Sequence, residues 1–298
     1  MSDLTRREWN KLALGALAAT ALPIDPLKSF AAGISADKLN SKIKGVQLGA
    51  QSYSFRDRSL DEAIRAYADT GLSCCELWSG HLEPQGLKRP DQRTWRLTTP
   101  LSFFALTAEK FKKAGIELYA YNYSFKDDYT DEEIKRGFEI AKALGVKCIT
   151  ASSNVSTAKR IDPFAKQYKM RVGMHNHSNI KPNEFATPDD FAKAMEGTSE
   201  YICINLDIGH FTAAGFDAVD YLKKHHDRIV TLHIKDRKKN QGDNVVFGEG
   251  ETPIKEVLMT LQKNGWKIPA NIEYEYKGTD TVAEVKRCYE YCKKALGG

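Results

Sequence analysis

From about residue 44 onward the chain alternates between two hydrophobic rhythms. Short runs in which most positions are apolar, with the length of buried strands, give way to longer stretches whose apolar residues recur three and four apart, the spacing of one helix face. The first rhythm predicts strands at 46–54, 74–78, 117–123, 147–151, 171–175, 202–207, 229–235 and 270–276. The second predicts helices at 60–70, 101–114, 131–144, a short one near 162–168, and then 188–195, 218–225, 254–264 and 282–295. Gly71, Gly115, Gly145 and Gly265 each follow a helical run, where a left-handed residue ends a helix before the next strand.

Strands alternating with helices mean a parallel sheet, and eight such units over roughly 250 residues fit a closed barrel better than an open doubly wound sheet. The expected fold is therefore α/β, a (β/α)8 TIM barrel forming one domain over 44–298. No G-x-G-x-x-G follows the first strand, so the dinucleotide-binding alternative lacks its main signature. The segments 79–100 and 236–253 are long for connections and both follow strands, which in a barrel places them around the substrate mouth.

Composition changes this picture little. Apolar residues make up 42% and charged residues 28% of the 298, as in an ordinary protein with a sizeable core. The formal net charge of +5 falls to +4, from 40 basic and 36 acidic residues, once the first 31 are set aside. So weak and dispersed a charge argues against a nucleic-acid partner. The six cysteines have no zinc-ribbon spacing, and Cys148 and Cys203 lie inside apolar runs as core residues do.

The N-terminus does change it. Thr5-Arg6-Arg7-Glu8-Trp9-Asn10-Lys11 precedes an uncharged Ala- and Leu-rich stretch from Leu12 to Leu22, with small residues at Ser29 and Ala31. Residues 1–31 read as a twin-arginine export signal, and the apolar run is short of the ~20 residues a membrane span needs. The expected location is the periplasm, with no stable membrane insertion after cleavage.

The candidate chemistry lies at the ends of the last four predicted strands: Met174-His175-Asn176-His177, Leu206-Asp207-Ile208-Gly209-His210, Leu232-His233-Ile234-Lys235-Asp236 and Ile272-Glu273-Tyr274-Glu275. A polar residue beside an apolar one at a strand end turns inward while its neighbour packs outward. His175, Asp207, His233 and Glu273 can then converge on one divalent ion, a mixed N/O set compatible with zinc, manganese, iron or cobalt. His177, His210, Lys235 and Glu273 are candidates for moving protons or contacting substrate, with Lys235 suited to an enolate oxygen. Glu76 and Trp78, and Tyr121 and Tyr123, end the second and third strands and offer a carboxylate and aromatic faces to a sugar, although strand aromatics are often plain core.

The segments HNH, NLDIGHF, LHIKD, GEG-x-x-x-I and NIEYE, in this order over residues 44–296, resemble the sugar phosphate isomerase/epimerase family of xylose-isomerase-like barrels. The resemblance implies a metal-dependent enzyme for a small sugar, in which the ion polarises a carbonyl or hydroxyl and carboxylates shuttle a proton at the adjacent carbon. Asp207, His233 and Glu273 match family ligand positions, and His210 matches a residue that contacts substrate in relatives. The chain departs from the ketose 3-epimerases at His175, where they place a second metal-bound glutamate. The first expectation is an isomerase or epimerase of a free sugar or sugar derivative. The second is a lyase or hydratase acting on 3-keto-glycosides through the same site, and the third a sugar-binding barrel without catalysis. DNA-repair endonuclease activity, known in the wider superfamily, fits least. The loop Gly248-Glu249-Gly250 has the glycines of a phosphate cradle, but no basic cluster or helix-opening Gly-rich run accompanies it, and assembly into a homo-oligomer is left open by the sequence.

Overall fold

The computed structural model describes residues 39–298, so the export signal expected at 1–31 lies outside the described residues. Eight parallel strands close on themselves: β1 (Val46–Gln51), β2 (Cys74–Trp78), β3 (Glu117–Asn122), β4 (Cys148–Ala151), β5 (Arg171–His175), β6 (Ile202–Asp207), β7 (Ile229–Ile234) and β8 (Ala270–Ile272). The seam is the parallel pairing of Leu48 with Ala270 and of Ala50 with Ile272. A two-residue strand, Lys42–Ile43, runs antiparallel to β1 outside the ring. This is the (β/α)8 barrel that the alternation of strand and helix predicts.

The helices are α1 (Leu60–Thr70), α2 (Arg89–Thr98), α3 (Leu101–Lys113), α4 (Asp131–Leu144), α5 (Ala158–Tyr168), α6 (Pro188–Met195), α7 (Ile208–Ala213), α8 (Ala218–His225), α9 (Ile254–Asn264) and α10 (Thr281–Ala295). Local sequence sets their ends. Ser59 and Glu62 form a reciprocal capping box at the start of α1, and Thr130 with Glu133 does the same for α4. Gly71 and Gly145 end these helices at φ 83° and 70°, a conformation in which a side chain would be strained.

Four differences from the predicted elements have local causes. β1 stops at Gln51 because its side chain caps a 3-10 turn over Ser52–Phe55. β8 stops at Ile272: the Glu273 N–H still donates to the Ile234 carbonyl (3.0 Å), but the backbone of Tyr274 leaves the ladder, its N–H donating to Ser54 Oγ (2.9 Å) and its carbonyl accepting from Arg56 Nη1 (2.9 Å). α5 begins at Ala158, one turn early, and carries Pro163 in its interior. α2 lies unpredicted within the long 79–100 segment, since only Trp95 and Leu97 interrupt its polar sequence and no apolar periodicity marks it.

Candidate metal centre

His175 and Asp207 are the last residues of β5 and β6, His233 is the penultimate residue of β7, and Glu273 follows β8 directly. Asp207 is in direct register with His233, while His175 pairs with Asn205, two residues before Asp207, and Glu273 lies two residues beyond Asn271, the partner of His233, so the four ligands step up the staggered ring one strand to the next. All four are buried, and one ligand atom from each lies within 4.8 Å of every other. His175 Nε2 stands 3.6 Å from Asp207 Oδ2 and 4.0 Å from Glu273 Oε2, while His233 Nδ1 is 3.1 Å from Glu273 Oε2.

These are the separations of ligands waiting on a shared cation: donors ~2.1 Å from one tetrahedral centre stand about 3.4 Å apart. His175 Nε2 is also buried without a hydrogen-bond partner, and Asp207 Oδ2, which accepts no hydrogen bond, has the Lys235 ammonium beside it at 3.2 Å. Buried polar atoms are almost always satisfied, so an unpartnered imidazole nitrogen facing two carboxylates is explained by an ion there. The donor set of two imidazoles and two carboxylates suits a divalent metal.

The surroundings orient each ligand. His233 Nε2 faces Glu76 Oε2 at 2.9 Å, and Glu76 in turn accepts from Thr150 Oγ1 at 2.6 Å, which leaves Nδ1 to face the cluster. Burial alone would lower the pKa of His233, but Glu76 and Glu273 outweigh it and raise the pKa well above the imidazole range. Ser152 Oγ lies 3.3 Å from His175 Nδ1, leaving Nε2 for the cluster. Asn176 clasps the neighbouring strand: its Oδ1 accepts from the Asp207 N–H (2.9 Å) and its Nδ2 donates to the Asp207 carbonyl (3.1 Å). Asp207 Oδ1 caps α7 by accepting from the His210 N–H at 2.7 Å.

Lys235 is buried beside the cluster. Its Nζ lies 2.8 Å from Glu273 Oε2, 2.7 Å from Glu275 Oε2, 3.2 Å from Asp207 Oδ2 and 2.9 Å from His210 Nε2. Burial favours its neutral form, yet the three carboxylates prevail and raise its pKa. Conversely, burial would raise the Glu273 pKa, and Lys235 with His233 holds it well below the usual carboxylate range. His210 is mostly buried between Lys235 and Arg237, whose Nη1 is 2.7 Å from His210 Nδ1. The His177 ring lies on the exposed rim, 5.0 Å from the His175 ring and 5.4 Å from the His210 ring.

The remaining candidates do not join this cluster. Glu76 is wholly buried beneath the ligands, against His233, and presents no carboxylate to the mouth. Tyr121 and Tyr123 turn outward onto the helix layer, where Tyr123 Oη donates to the Glu133 carbonyl of α4 at 3.1 Å. Asn122 holds the inward position instead and donates to Thr150 Oγ1. Trp78 is partly exposed, with its ring edge-on to Tyr53 at 5.0 Å and to His81 at 5.4 Å. The amides of the Gly248–Gly250 loop are taken: Asp236 Oδ2 accepts from Gly248 and Gly250 at 2.7 and 3.0 Å, and Oδ1 accepts from Thr252 at 3.2 Å. A Cβ on Gly250 would stand 1.9 Å from Asp236 Oδ1, so the loop needs glycine to wrap this carboxylate. Sequence reasoning missed Asn176, Ser152 and Arg237, although Asn176 lies between two strand-end histidines.

The family model described as xylose isomerase-like TIM barrel matches residues 64–294. An uncharacterized protein of Methanocaldococcus jannaschii is 28% identical over 253 residues, 80% of this chain and 86% of that one. The L-ribulose-5-phosphate 3-epimerase UlaE of Shigella flexneri is 25% identical over 183 residues, covering 55% of this chain and 63% of the epimerase, under two thirds of its length. The solved structure of IOLI protein with a binding zinc atom superposes with a TM-score of 0.65 at 17% identity, covering 85% of this chain and 98% of that one, a likeness of fold.

Proposed function

Because the chain belongs to the xylose isomerase-like TIM-barrel family of sugar isomerases and epimerases, we propose that it is a metal-dependent isomerase or epimerase moving a proton beside the carbonyl of a free sugar or sugar derivative. The observation that carries this reading is the buried His175, Asp207, His233 and Glu273 cluster, in which His175 Nε2 has no hydrogen-bond partner. A divalent ion held there would polarise a sugar oxygen and acidify the neighbouring C–H.

The chain's own groups supply the rest. Glu273, kept ionised by Lys235, is the base. Lys235 Nζ is the hydrogen-bond donor nearest to it and stabilises negative charge developing on a substrate oxygen. His177 on the rim and His210 below it exchange the proton with the other side of the substrate. Trp78 offers an aromatic face at the mouth. Export by the twin-arginine route would present free or glycosidic sugars, in keeping with the occupied amides of the 248–250 loop.

Incubating the metal-loaded protein with ketoses in D₂O tests the reading: deuterium should enter at the carbon beside the carbonyl, and Glu273→Gln should abolish it. No exchange with any sugar would overturn it. One feature favours a second reading, elimination from a 3-keto-glycoside: β5 ends in the imidazoles of His175 and His177, where a two-glutamate epimerase carries a carboxylate. Release of aglycone from a keto-glycoside in place of an epimer would select it.

A further inference from the structure

Beside the four-ligand cluster lies a second set of ligating atoms. His210, Glu273 and Glu275 also bring one atom each within 4.8 Å of one another, and Glu273 belongs to both sets. The Lys235 ammonium stands among them, 2.7 Å from Glu275 Oε2, 2.8 Å from Glu273 Oε2, 2.9 Å from His210 Nε2 and 3.2 Å from Asp207 Oδ2. An ammonium has three protons. Four ligating atoms around it exceed those protons, and without the ammonium the same atoms would be free to close on a metal ion.

The lysine is nevertheless built in. Its side chain is buried, and Gly209 makes the space for its stem: a Cβ at residue 209 would meet the Lys235 carbonyl oxygen at 2.7 Å, Cβ at 2.8 Å and Cγ at 2.9 Å. Charge favours it as well. Asp207 and Glu273 balance one divalent ion, Glu275 balances the ammonium, and Glu76 faces His233. A second divalent ion beside Lys235 would leave an uncompensated charge in a buried site.

We propose that Lys235 is a tethered cation occupying what would otherwise be a second metal site, and that it keeps the centre mononuclear. The inference rests on the reading of His175, Asp207, His233 and Glu273 as a metal site, and it deepens that reading by assigning Lys235 the place of a second ion. Removing the ammonium leaves His210, Glu273 and Glu275 free to bind metal, with Asp207 alongside.

The test is metal content by mass spectrometry after dialysis against Zn²⁺ or Mn²⁺, together with the thermal midpoint as metal is titrated. Wild type should hold one ion per chain, and Lys235→Ala two. Lys235→Ala should be less stable than wild type without metal and should recover in two titration steps. Lys235→Ala/Glu275→Gln should return to one ion. Lys235→Met, which keeps the bulk of the stem, is the second variant should the alanine form not fold, and it should also gain an ion. One ion in the folded lysine variants, or two in wild type, would overturn the proposal. No ion in wild type would instead sink the metal reading on which it rests.

Discussion

His233 has a neighbour for each ring nitrogen, and the nature of those neighbours decides what the ring can do. Glu76 is buried and takes the Nε2 side, so a cation in the cluster must be met by Nδ1. Glu76→Gln keeps the shape but removes the charge that holds this orientation, and should weaken metal binding about 10–100-fold, measured by competition with a chelator. Unchanged affinity would show that Glu76 is only filling space. The same contacts set a pH dependence. Without metal, Glu76 and Glu273 together raise the His233 pKa, so at neutral pH Nδ1 carries a proton that an entering ion must displace. Apparent affinity should therefore rise with pH, up to tenfold per unit, until that raised pKa is passed. Titration calorimetry in buffers of different ionisation enthalpy should register a proton released per ion bound.

At the scale of elements, strand ends were readable and strand phase was not. The motifs at the ends of β5 to β8 combine a ligand type with an apolar neighbour, and these four strands deliver their ligands to one point. β3 gives no such help. Its sequence ELYAYN is apolar at both parities because a barrel strand is buried on both faces, so alternation alone could not tell that Asn122 points inward and Tyr121 outward. Asn176, Ser152 and Arg237 were hidden for another reason: each acts through a partner 23–31 residues away, a distance that periodicity does not encode. The junction of β6 with α7 carries a testable packing constraint. Gly209→Ala would press a methyl against the backbone and stem of Lys235, and overpacking of this kind costs about 1–3 kcal/mol. Urea unfolding should show the loss. If Gly209→Ala were neutral, the slot for Lys235 would be looser than described.

For the whole molecule, the ligands come from four successive strands, and the ring closes only when β8 pairs with β1. An ion that binds all four ligands binds only the closed barrel, so it stabilises that state by mass action. At a free concentration a hundred times its dissociation constant the gain is about 2.7 kcal/mol. For a domain of this size that corresponds to roughly 5–10 °C in thermal midpoint, which chelation should remove and Zn²⁺ or Mn²⁺ restore. Midpoints indifferent to metal would count against the centre. The occupied loop after β7 has a different kind of consequence, one of competition. Its amides are what a phosphate ester would seek, but Asp236 is already there and, being part of the same chain, can neither diffuse away nor be diluted. A phosphate seeking these amides would have to evict a permanent resident whose local concentration greatly exceeds its own, so the loop acts as a standing inhibitor of its own anion site.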